Sequence, residues 1–341
     1  MKSDRPSPDG PSAFLSKEAP LIAFDRQQSR KAEGLIELST HETSLEGKNS
    51  ENKAQLILAP GQRVAEHYEV GPIIGAGAMG IVYKARHVEL GQLVALKVIR
   101  PDIVQNSSLW RRFSREARAL AALHNKHVVR VHDAGKLESG LRYLIMELLV
   151  GRSLRTELQS GTALTQGQVV DYATQVCSAL ADAHRANIIH RDIRPENIFL
   201  AKYAATEPTI KLLDFGMALI LDDAAQRTMT GRTGASPEYL SPEQLRDPRS
   251  VDARSDLWAV GMLMFELLAG RTPLHGLNTG QICLQIARGA IPRIETARPD
   301  LPAGLAATLH SCIEMDPARR PQSADELCQA LEPYSSRHSA L

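Results

Sequence analysis

Polar residues dominate the first 63 positions of the chain, where apolar residues form only short islands. A stretch of this kind buries too little apolar surface to offset the conformational entropy lost on ordering. We therefore predict that residues 1–63 are mostly disordered and that one short amphipathic helix can form around Leu35. Three roles suit such an extension: a docking tail for partner proteins, an autoinhibitory segment or a linker.

After this extension, the hydrophobic pattern predicts short strands first and helices later. Apolar and β-branched runs bounded by polar turns predict strands at Tyr68–Ile74, Ile81–Arg86, Val94–Arg100, Val128–Asp133 and Tyr143–Leu148. Helical spacing predicts helices at Leu109–Leu123, Thr165–Ala186, Ser255–Ala269, Asn278–Arg288, Pro302–Glu314 and Ser323–Glu332. This order indicates an α+β protein with two lobes. We place the small lobe at residues 64–148, the large lobe at 149–333 and a short tail at 334–341.

Composition narrows the class of protein. Lys and Arg number 40 and Asp and Glu 39, so the net charge of +1 argues against a dedicated nucleic-acid-binding protein. The four cysteines form no CxxC pair and are expected to be free thiols in a reducing cytosol. The most apolar long stretch, Leu257–Ala269, is too short to span a membrane, and the first ten residues lack a signal-peptide core. We therefore expect a cytoplasmic protein.

A glycine-rich sequence, GAGAMG at positions 75–80, lies between two predicted strands. Glycines let a backbone approach phosphate groups closely and expose its N–H groups to them. A dinucleotide-binding site would need a helix directly after the glycines, whereas a strand is predicted there. The motif alone is weak, because an ordinary glycine-rich hairpin would have the same pattern.

Two charged residues downstream suit a nucleotide site when they are taken together. Lys97 lies in the apolar strand VALK, and Glu116 lies in the helix predicted next. A carboxylate on that helix could hold the lysine ammonium over nucleotide phosphates. Taken separately, each residue is more commonly a solvent-exposed charge.

The segment 188–197 collects apolar, basic, acidic and amide side chains in one short loop. Within it, Asp192 is a carboxylate that can accept the proton of an attacking hydroxyl group. Asn197 offers an amide oxygen to a hard cation, and Asp214, after an apolar strand, offers a carboxylate. Each residue alone could be an ordinary turn residue, but all of them in this order favour a shared catalytic site.

With these motifs in this order, residues 64–331 resemble the protein kinase family, specifically the eukaryotic-like Ser/Thr kinases of bacteria. The sequence SPE at positions 241–243 resembles the end of the family's activation segment. The sequence DLWAVG, which begins at Asp256, resembles the start of its buried central helix. The resemblance implies that Asp256 anchors the catalytic loop and that Arg320 pairs with Glu243.

The resemblance also implies ATP as a substrate, Mg²⁺ as a cofactor and proteins as phosphate acceptors. The residues expected to act in transfer are Asp192 as base, Lys97 and Glu116 as an ion pair, and Arg194 on the transferring phosphate. The expected magnesium ligands are Asn197 and Asp214. The expected ATP contacts are Ile74, Gly75, Ala76, Gly77, Ala78, Met79, Gly80, Val82, Ala95, Lys97, Met146, Glu147 and Leu149.

Departures from the family pattern concern the transferring phosphate and the activation segment. Arg194 stands where Ser/Thr members usually have lysine, and a guanidinium keeps the charge but has a different geometry. Ser236 replaces the more usual threonine and keeps a hydroxyl. Thr228 and Thr230 fall where related bacterial kinases carry activating phosphates, which Arg191 could bind.

The favoured function is ATP- and Mg²⁺-dependent phosphorylation of Ser and Thr in proteins, with autophosphorylation in the activation loop, in signalling. One alternative is a pseudokinase or scaffold, whose sequence would lack Lys97, Asp192 or Asp214, whereas all three are present. The other alternative is a small-molecule kinase of related fold, a class that usually lacks the combined late motifs.

Overall fold

A computed structural model describes residues 57–77, 80–100, 120–161, 163–203, 208–215, 237–247 and 250–336. These residues form a small lobe built on a sheet and a large lobe that is mainly helical, which confirms the predicted two-lobed α+β architecture. The predicted helix at Leu109–Leu123 lies almost entirely outside the described residues.

The small lobe contains a six-stranded antiparallel sheet with the order β1-β2-β3-β4-β6-β5. Its strands are β1 (Arg63–Val64), β2 (Tyr68–Gly77), β3 (Gly80–His87), β4 (Leu93–Ile99), β5 (Val131–Lys136) and β6 (Arg142–Glu147).

The two faces of this sheet have different roles because side chains alternate along each strand. Tyr83, Leu96 and Ile145 are buried in the apolar core on one face. Lys97 and Ala95 flank Leu96 along β4 and therefore project from the opposite face, where Lys97 contacts Asp214 of the large lobe. The alternation thus separates the residues that stabilise the small lobe from those available to a ligand.

Packing of the small lobe begins before the predicted start at residue 64. The side chain of Leu58 is buried in the small-lobe core, and its N–H donates a hydrogen bond to Tyr83 Oη at 3.0 Å. Gly61 N–H donates to the carbonyl of Val70 at 2.8 Å. Residues 57–63 therefore add a packed segment to the edge of the sheet.

The predicted strand at Val128–Asp133 is shifted in the structure, where β5 begins only at Val131. The apolar residues before it bond to the large lobe instead, since Val128 bridges to Leu212 and Val129 N–H donates to the carbonyl of Leu212. The predicted strand is therefore only partly confirmed, because its first residues join the two lobes and the strand starts three residues later.

The large lobe contains a three-stranded sheet of β7 (Gly151–Ser153), β8 (Ile198–Ala201) and β9 (Thr209–Leu212). Its helices are α1 (Leu154–Gln159), α2 (Gln166–Arg185), α3 (Pro242–Arg246), α4 (Ala253–Ala269), α5 (Thr279–Arg288), α6 (Ala303–Cys312) and α7 (Ala324–Leu331). Five of the predicted helices correspond to α2, α4, α5, α6 and α7.

Helix α4 forms the centre of the large lobe and is buried without interruption from Ser255 to Leu268. A helix that is apolar on all sides must be enclosed by other elements, and α2 and α6 pack against it. Asp252 caps its N-terminus, and Gly270 ends it in the left-handed conformation. Within the described ranges, no helix is both long and apolar enough to cross a lipid bilayer.

Candidate active site

The loop between α2 and β8 is held by a carboxylate at the start of the central helix. Asp256 is completely buried and accepts hydrogen bonds from His190 N–H at 2.9 Å and from Arg191 N–H at 2.7 Å. It also contacts His184 Nε2 at 2.7 Å. Because Arg191 has a positive φ of 67°, an unfavourable conformation for a side-chain-bearing residue, these bonds help to fix the loop.

His190 connects this loop to the segment that carries Asp214. The backbone N–H of Asp192 lies 3.3 Å from His190 Nδ1, and Nε2 lies 2.8 Å from the carbonyl of Leu213. A neutral ring protonated at Nε2 satisfies both contacts, since Nδ1 then accepts and Nε2 donates. The ring also packs against Phe215, with centroids 4.5 Å apart. His190 is buried and has a structural role here.

Asp192 and Asn197, the predicted base and a predicted metal ligand, are in direct contact. Asn197 Nδ2 donates to the backbone carbonyl of Asp192 at 2.8 Å and to its Oδ2 at 2.6 Å. This contact leaves Asn197 Oδ1 as an available acceptor. Within the described residues, the second carboxylate oxygen of Asp192 accepts no hydrogen bond.

Lys97 and Asp214 join the two lobes. Lys97 Nζ lies 2.6 Å from Asp214 Oδ1, with 5% of the lysine side chain and 25% of the aspartate side chain exposed. Asp214 has a positive φ of 57°. Glu116, the predicted partner of Lys97, lies outside the described residues.

The residues near Asp214 suit a hard cation that is also bound by phosphate. Leu213 N–H donates to the carbonyl of Asn197 at 2.9 Å, so the segments that carry Asp214 and Asn197 are adjacent. In the part of the chain that the structure describes, no three Asp, Glu, His or Cys side chains cluster as a metal site. Magnesium held by few protein ligands and by substrate phosphates fits such a sparse donor set.

The predicted ATP contacts lie on neighbouring strands of the small lobe. Lys97 pairs in register with Val82 on one side, and Ala95 pairs with Met146 on the other, so these side chains share one face. Met146 also packs against the cluster that contains Leu149. The sheet and the first residues after it therefore form an apolar surface beside the lysine ammonium.

The glycine-rich segment is a β2–β3 hairpin, in which Gly75, Ala76 and Gly77 pair with Val82, Ile81 and Gly80. Gly80 has a φ of 155°, and a Cβ there would lie 2.0 Å from the carbonyl oxygen of Val98. Glycine is thus required at position 80 by the approach of β4. Ile74 is buried, whereas Ala78 and Met79 lie outside the described residues.

Glu147 has its side chain in a contact that the sequence did not indicate. Its Oε1 accepts hydrogen bonds from Lys211 Nζ at 2.6 Å and from Arg130 N–H at 2.8 Å. Its own N–H donates to the carbonyl of Arg130 at 3.0 Å. The side chain of Glu147 therefore links the end of β6 to Lys211 of the large lobe and to the residue that precedes β5.

Below the end of the activation segment, Glu243 and Arg320 form the ion pair that the resemblance predicted. Arg320 Nη1 and Nη2 lie 2.6 Å and 2.8 Å from the two carboxylate oxygens. Burial opposes ionisation of Glu243, but hydrogen bonds from Arg320 and Ser255 outweigh it and lower the pKa of Glu243 to about 2. Thr228, Thr230 and Ser236 lie outside the described residues.

Sequence reasoning missed a network of charged and hydroxyl side chains beside the catalytic loop. Glu196 bonds both Arg194 and Arg155, and Arg155 also bonds Tyr239 and Glu266. Position 196 was inside the predicted catalytic segment, but its partners come from distant parts of the sequence. Only its place between Pro195 and Asn197 could have drawn attention to it.

Comparison with known proteins agrees with this geometry. The protein kinase domain, as a family, matches residues 68–331. The chain is 36% identical to serine/threonine-protein kinase pkn3 of Myxococcus xanthus over 277 residues, which are 80% of this chain and 50% of that protein. It is 35% identical to serine/threonine-protein kinase PknB of Mycobacterium tuberculosis over 269 residues, covering 77% of this chain and 42% of that protein. The chain thus spans half or less of the length of these curated relatives.

A solved structure also matches this fold. The match to the crystal structure of the M. tuberculosis PknI kinase domain covers 84% of this chain and 100% of that chain, with a TM-score of 0.66 and 29% identity. By the extent of these matches, the chain belongs to the protein kinase family.

Proposed function

We propose that this domain transfers the γ-phosphoryl group of ATP to Ser and Thr hydroxyls of proteins, with Mg²⁺ as cofactor. The observation that carries the proposal is the 2.6 Å contact between Lys97 and Asp214, which joins the lobes beside the Asp192–Asn197 pair. The names of the curated relatives, which are Ser/Thr protein kinases, support the choice of acceptor.

In this mechanism Asp192 accepts the proton of the substrate hydroxyl through its unbonded carboxylate oxygen. The hydroxyl oxygen forms a bond to the γ-phosphorus while the bond to the β–γ bridging oxygen breaks, and ADP leaves. Lys97 would bind ATP phosphates, and Arg194 would contact the group in transfer. Asn197 Oδ1 and Asp214 would hold magnesium, which neutralises phosphate charge when it is bound.

Measuring transfer of labelled phosphate by purified protein tests the proposal. Asp192→Asn should lower the rate by about 10²–10⁴-fold because the general base is removed. The matched control is Asp300→Asn, because that carboxylate is paired with Arg298 on the surface of the large lobe. A wild-type protein that folds and binds ATP but transfers nothing would favour the scaffold alternative instead.

We also propose that phosphorylation of Thr228 and Thr230 activates the enzyme. Each phosphate would add about −1.5 to −2 charges and could be bound by Arg191, which directly precedes Asp192. The Thr228→Ala/Thr230→Ala variant should retain ATP binding and lose most transfer to an added protein. Mass spectrometry should find phosphate in this segment of the wild type and none in the Asp192→Asn variant. Full activity without phosphate there would contradict the mechanism.

Within the predicted extension 1–63, we propose that residues 1–56 recruit protein partners. Their polar composition suits binding by coupled folding. Removing residues 1–56 would leave Leu58 and its packing intact. Loss of transfer to a physiological substrate, with transfer to a generic protein unchanged, is the expected result.

A further inference from the structure

Glu196 lies between two arginine side chains and uses both of its carboxylate oxygens to bind them. Its Oε2 accepts from Arg194 Nε at 2.9 Å, and its Oε1 accepts from Arg155 Nε at 2.9 Å. Burial opposes ionisation of Glu196, but the two guanidinium groups outweigh it and lower the pKa of its carboxyl group. The carboxylate is therefore a charged bridge, with one arginine on each side.

Arg155 fixes this bridge to the rigid centre of the large lobe. Its Nη1 donates to Glu266 Oε1 at 2.6 Å, and its Nη2 donates to Tyr239 Oη at 3.0 Å. Tyr239 Oη in turn bonds the second carboxylate oxygen of Glu266. Since Glu266 is buried on α4, Arg155 ties Glu196 to the element that also anchors the catalytic loop.

Arg194 is bound by one part of its guanidinium only. Glu196 engages Nε, and within the described ranges the two terminal nitrogens have no hydrogen-bond partner. The side chain is 15% exposed, so it is confined but not completely buried. Two terminal nitrogens, which carry four N–H donors, thus remain on a group whose position is fixed two residues after the predicted base.

This arrangement gives the arginine at position 194 a physical explanation. A lysine has a single terminal nitrogen, whereas an arginine can be held through Nε and still donate from both terminal nitrogens. Holding the side chain in advance reduces the entropy lost when a phosphate is bound. The carboxylate at position 196 and the arginine at position 194 therefore act as one unit.

We propose that Glu196 is a positioning residue that, anchored by Arg155, presents the terminal nitrogens of Arg194 to the phosphoryl group in transfer. The inference rests on the proposed function, in which Arg194 contacts that group. It assigns no proton transfer to Glu196, whose effect on catalysis passes entirely through the arginine.

A double-mutant cycle tests the inference with four proteins: wild type, Glu196→Gln, Arg194→Met and the double variant. Glu196→Gln keeps the size of the side chain and should lower kcat about 10–100-fold, because misplacing a group that acts on the reacting phosphate has effects of this size. The KM for ATP should change little, since the interaction is made in the transition state. The decisive expectation is that the double variant is no slower than Arg194→Met alone.

If Glu196→Gln does not fold, a second variant tests the same inference, and a matched control shows the effect of removing an unrelated carboxylate. Arg155→Lys retains the charge but removes Nε. It should lower kcat in a protein that keeps Arg194, and it should have no further effect when combined with Arg194→Met. The control is Glu295→Gln, since that exposed carboxylate bonds Arg293 and His310 away from the cleft. Melting temperature and the affinity for a non-hydrolysable ATP analogue monitor the fold.

The outcomes separate this inference from the function on which it rests. Additive losses in the cycle, or a wild-type kcat in Glu196→Gln, would overturn the positioning role while leaving kinase activity in place. A wild-type kcat in Arg194→Met would overturn it as well, by removing the arginine from the reaction. Absence of transfer in the wild type, or full transfer in Asp192→Asn, would instead be a failure of the proposed function.

Discussion

The ion pairs Lys97–Asp214 and Arg320–Glu243 have the same shortest N–O distance, 2.6 Å, but their cations are bound to very different extents. Among the described residues, Asp214 is the one hydrogen-bond partner of the Lys97 ammonium. All three guanidinium nitrogens of Arg320 are bonded, and its guanidinium carbon lies 5.1 Å from the centroid of the Trp258 ring.

This difference separates a pair that can rearrange from one that cannot. An ammonium has three donors, so Lys97 can bind phosphate oxygens in place of Asp214. Asp214 would not be left buried without a partner, because its side chain is 25% exposed. The side chain of Arg320 is fully buried. Moving it would break its hydrogen bonds to Glu243 and to the carbonyl of Glu314 and leave buried polar groups without partners. We infer that incomplete binding marks the pair used in catalysis and complete binding marks the pair used for stability.

Among the changes that test this comparison, Lys97→Met should have the largest effect, and the effect should be on catalysis. Phosphoryl transfer should fall about 10²–10³-fold, because a charge that stabilises the phosphates is lost. The melting temperature should change little, since Asp214 is partly exposed and can be hydrated. Labelled-ATP transfer and thermal unfolding measure the two quantities, with Lys136→Met on an exposed part of β5 as control. A large drop in melting temperature would place Lys97 with the stabilising pair.

The next effect is on stability, from Glu243→Ala. Removing the carboxylate leaves the charge of Arg320 buried and uncompensated, which costs about 3–5 kcal/mol of unfolding free energy. The melting temperature should fall by several degrees and activity should fall with it. Chemical denaturation measures the loss, and Glu295→Ala serves as the exposed control. An unchanged free energy of unfolding would show that the pair contributes nothing.

A smaller effect is expected from pH, and it acts on the same pair. The pKa of Glu243 is about 2 in the folded protein, against an ordinary value of 4.5. Because folding lowers this pKa, the stabilisation is complete above about pH 4.5 and is lost as the pH falls towards 2. The difference in unfolding free energy between wild type and Glu243→Gln should shrink over that range. A constant difference down to pH 2 would mean that Glu243 titrates normally.

The sequence predicted best those residues whose spacing is set by local chemistry. Asp192 and Asn197 are five positions apart and bond directly, and Asp256 and Arg320 take the positions that the resemblance implied. These residues lie within short motifs, so their order along the chain carries most of the information.

Contacts between distant segments could not be predicted where the residues lie outside recognised motifs. Arg155 and Glu266 are separated by 111 positions, and neither belongs to a motif that the sequence made recognisable. The same limit explains the early start of packing at Leu58, because a short apolar island in a polar stretch does not show that its backbone N–H will bond the hydroxyl of Tyr83. Pairing of this kind depends on the folded geometry of both partners.

The buried carboxylate of Asp256 has a consequence for hydrogen exchange. The amide protons of His190 and Arg191 both bond to it, and it lies in the first turn of the most enclosed helix of the large lobe. Amides held in this way exchange with solvent only when the surrounding core opens. We therefore expect the amides of His190 and Arg191, directly before Asp192, to be among the slowest-exchanging in the domain.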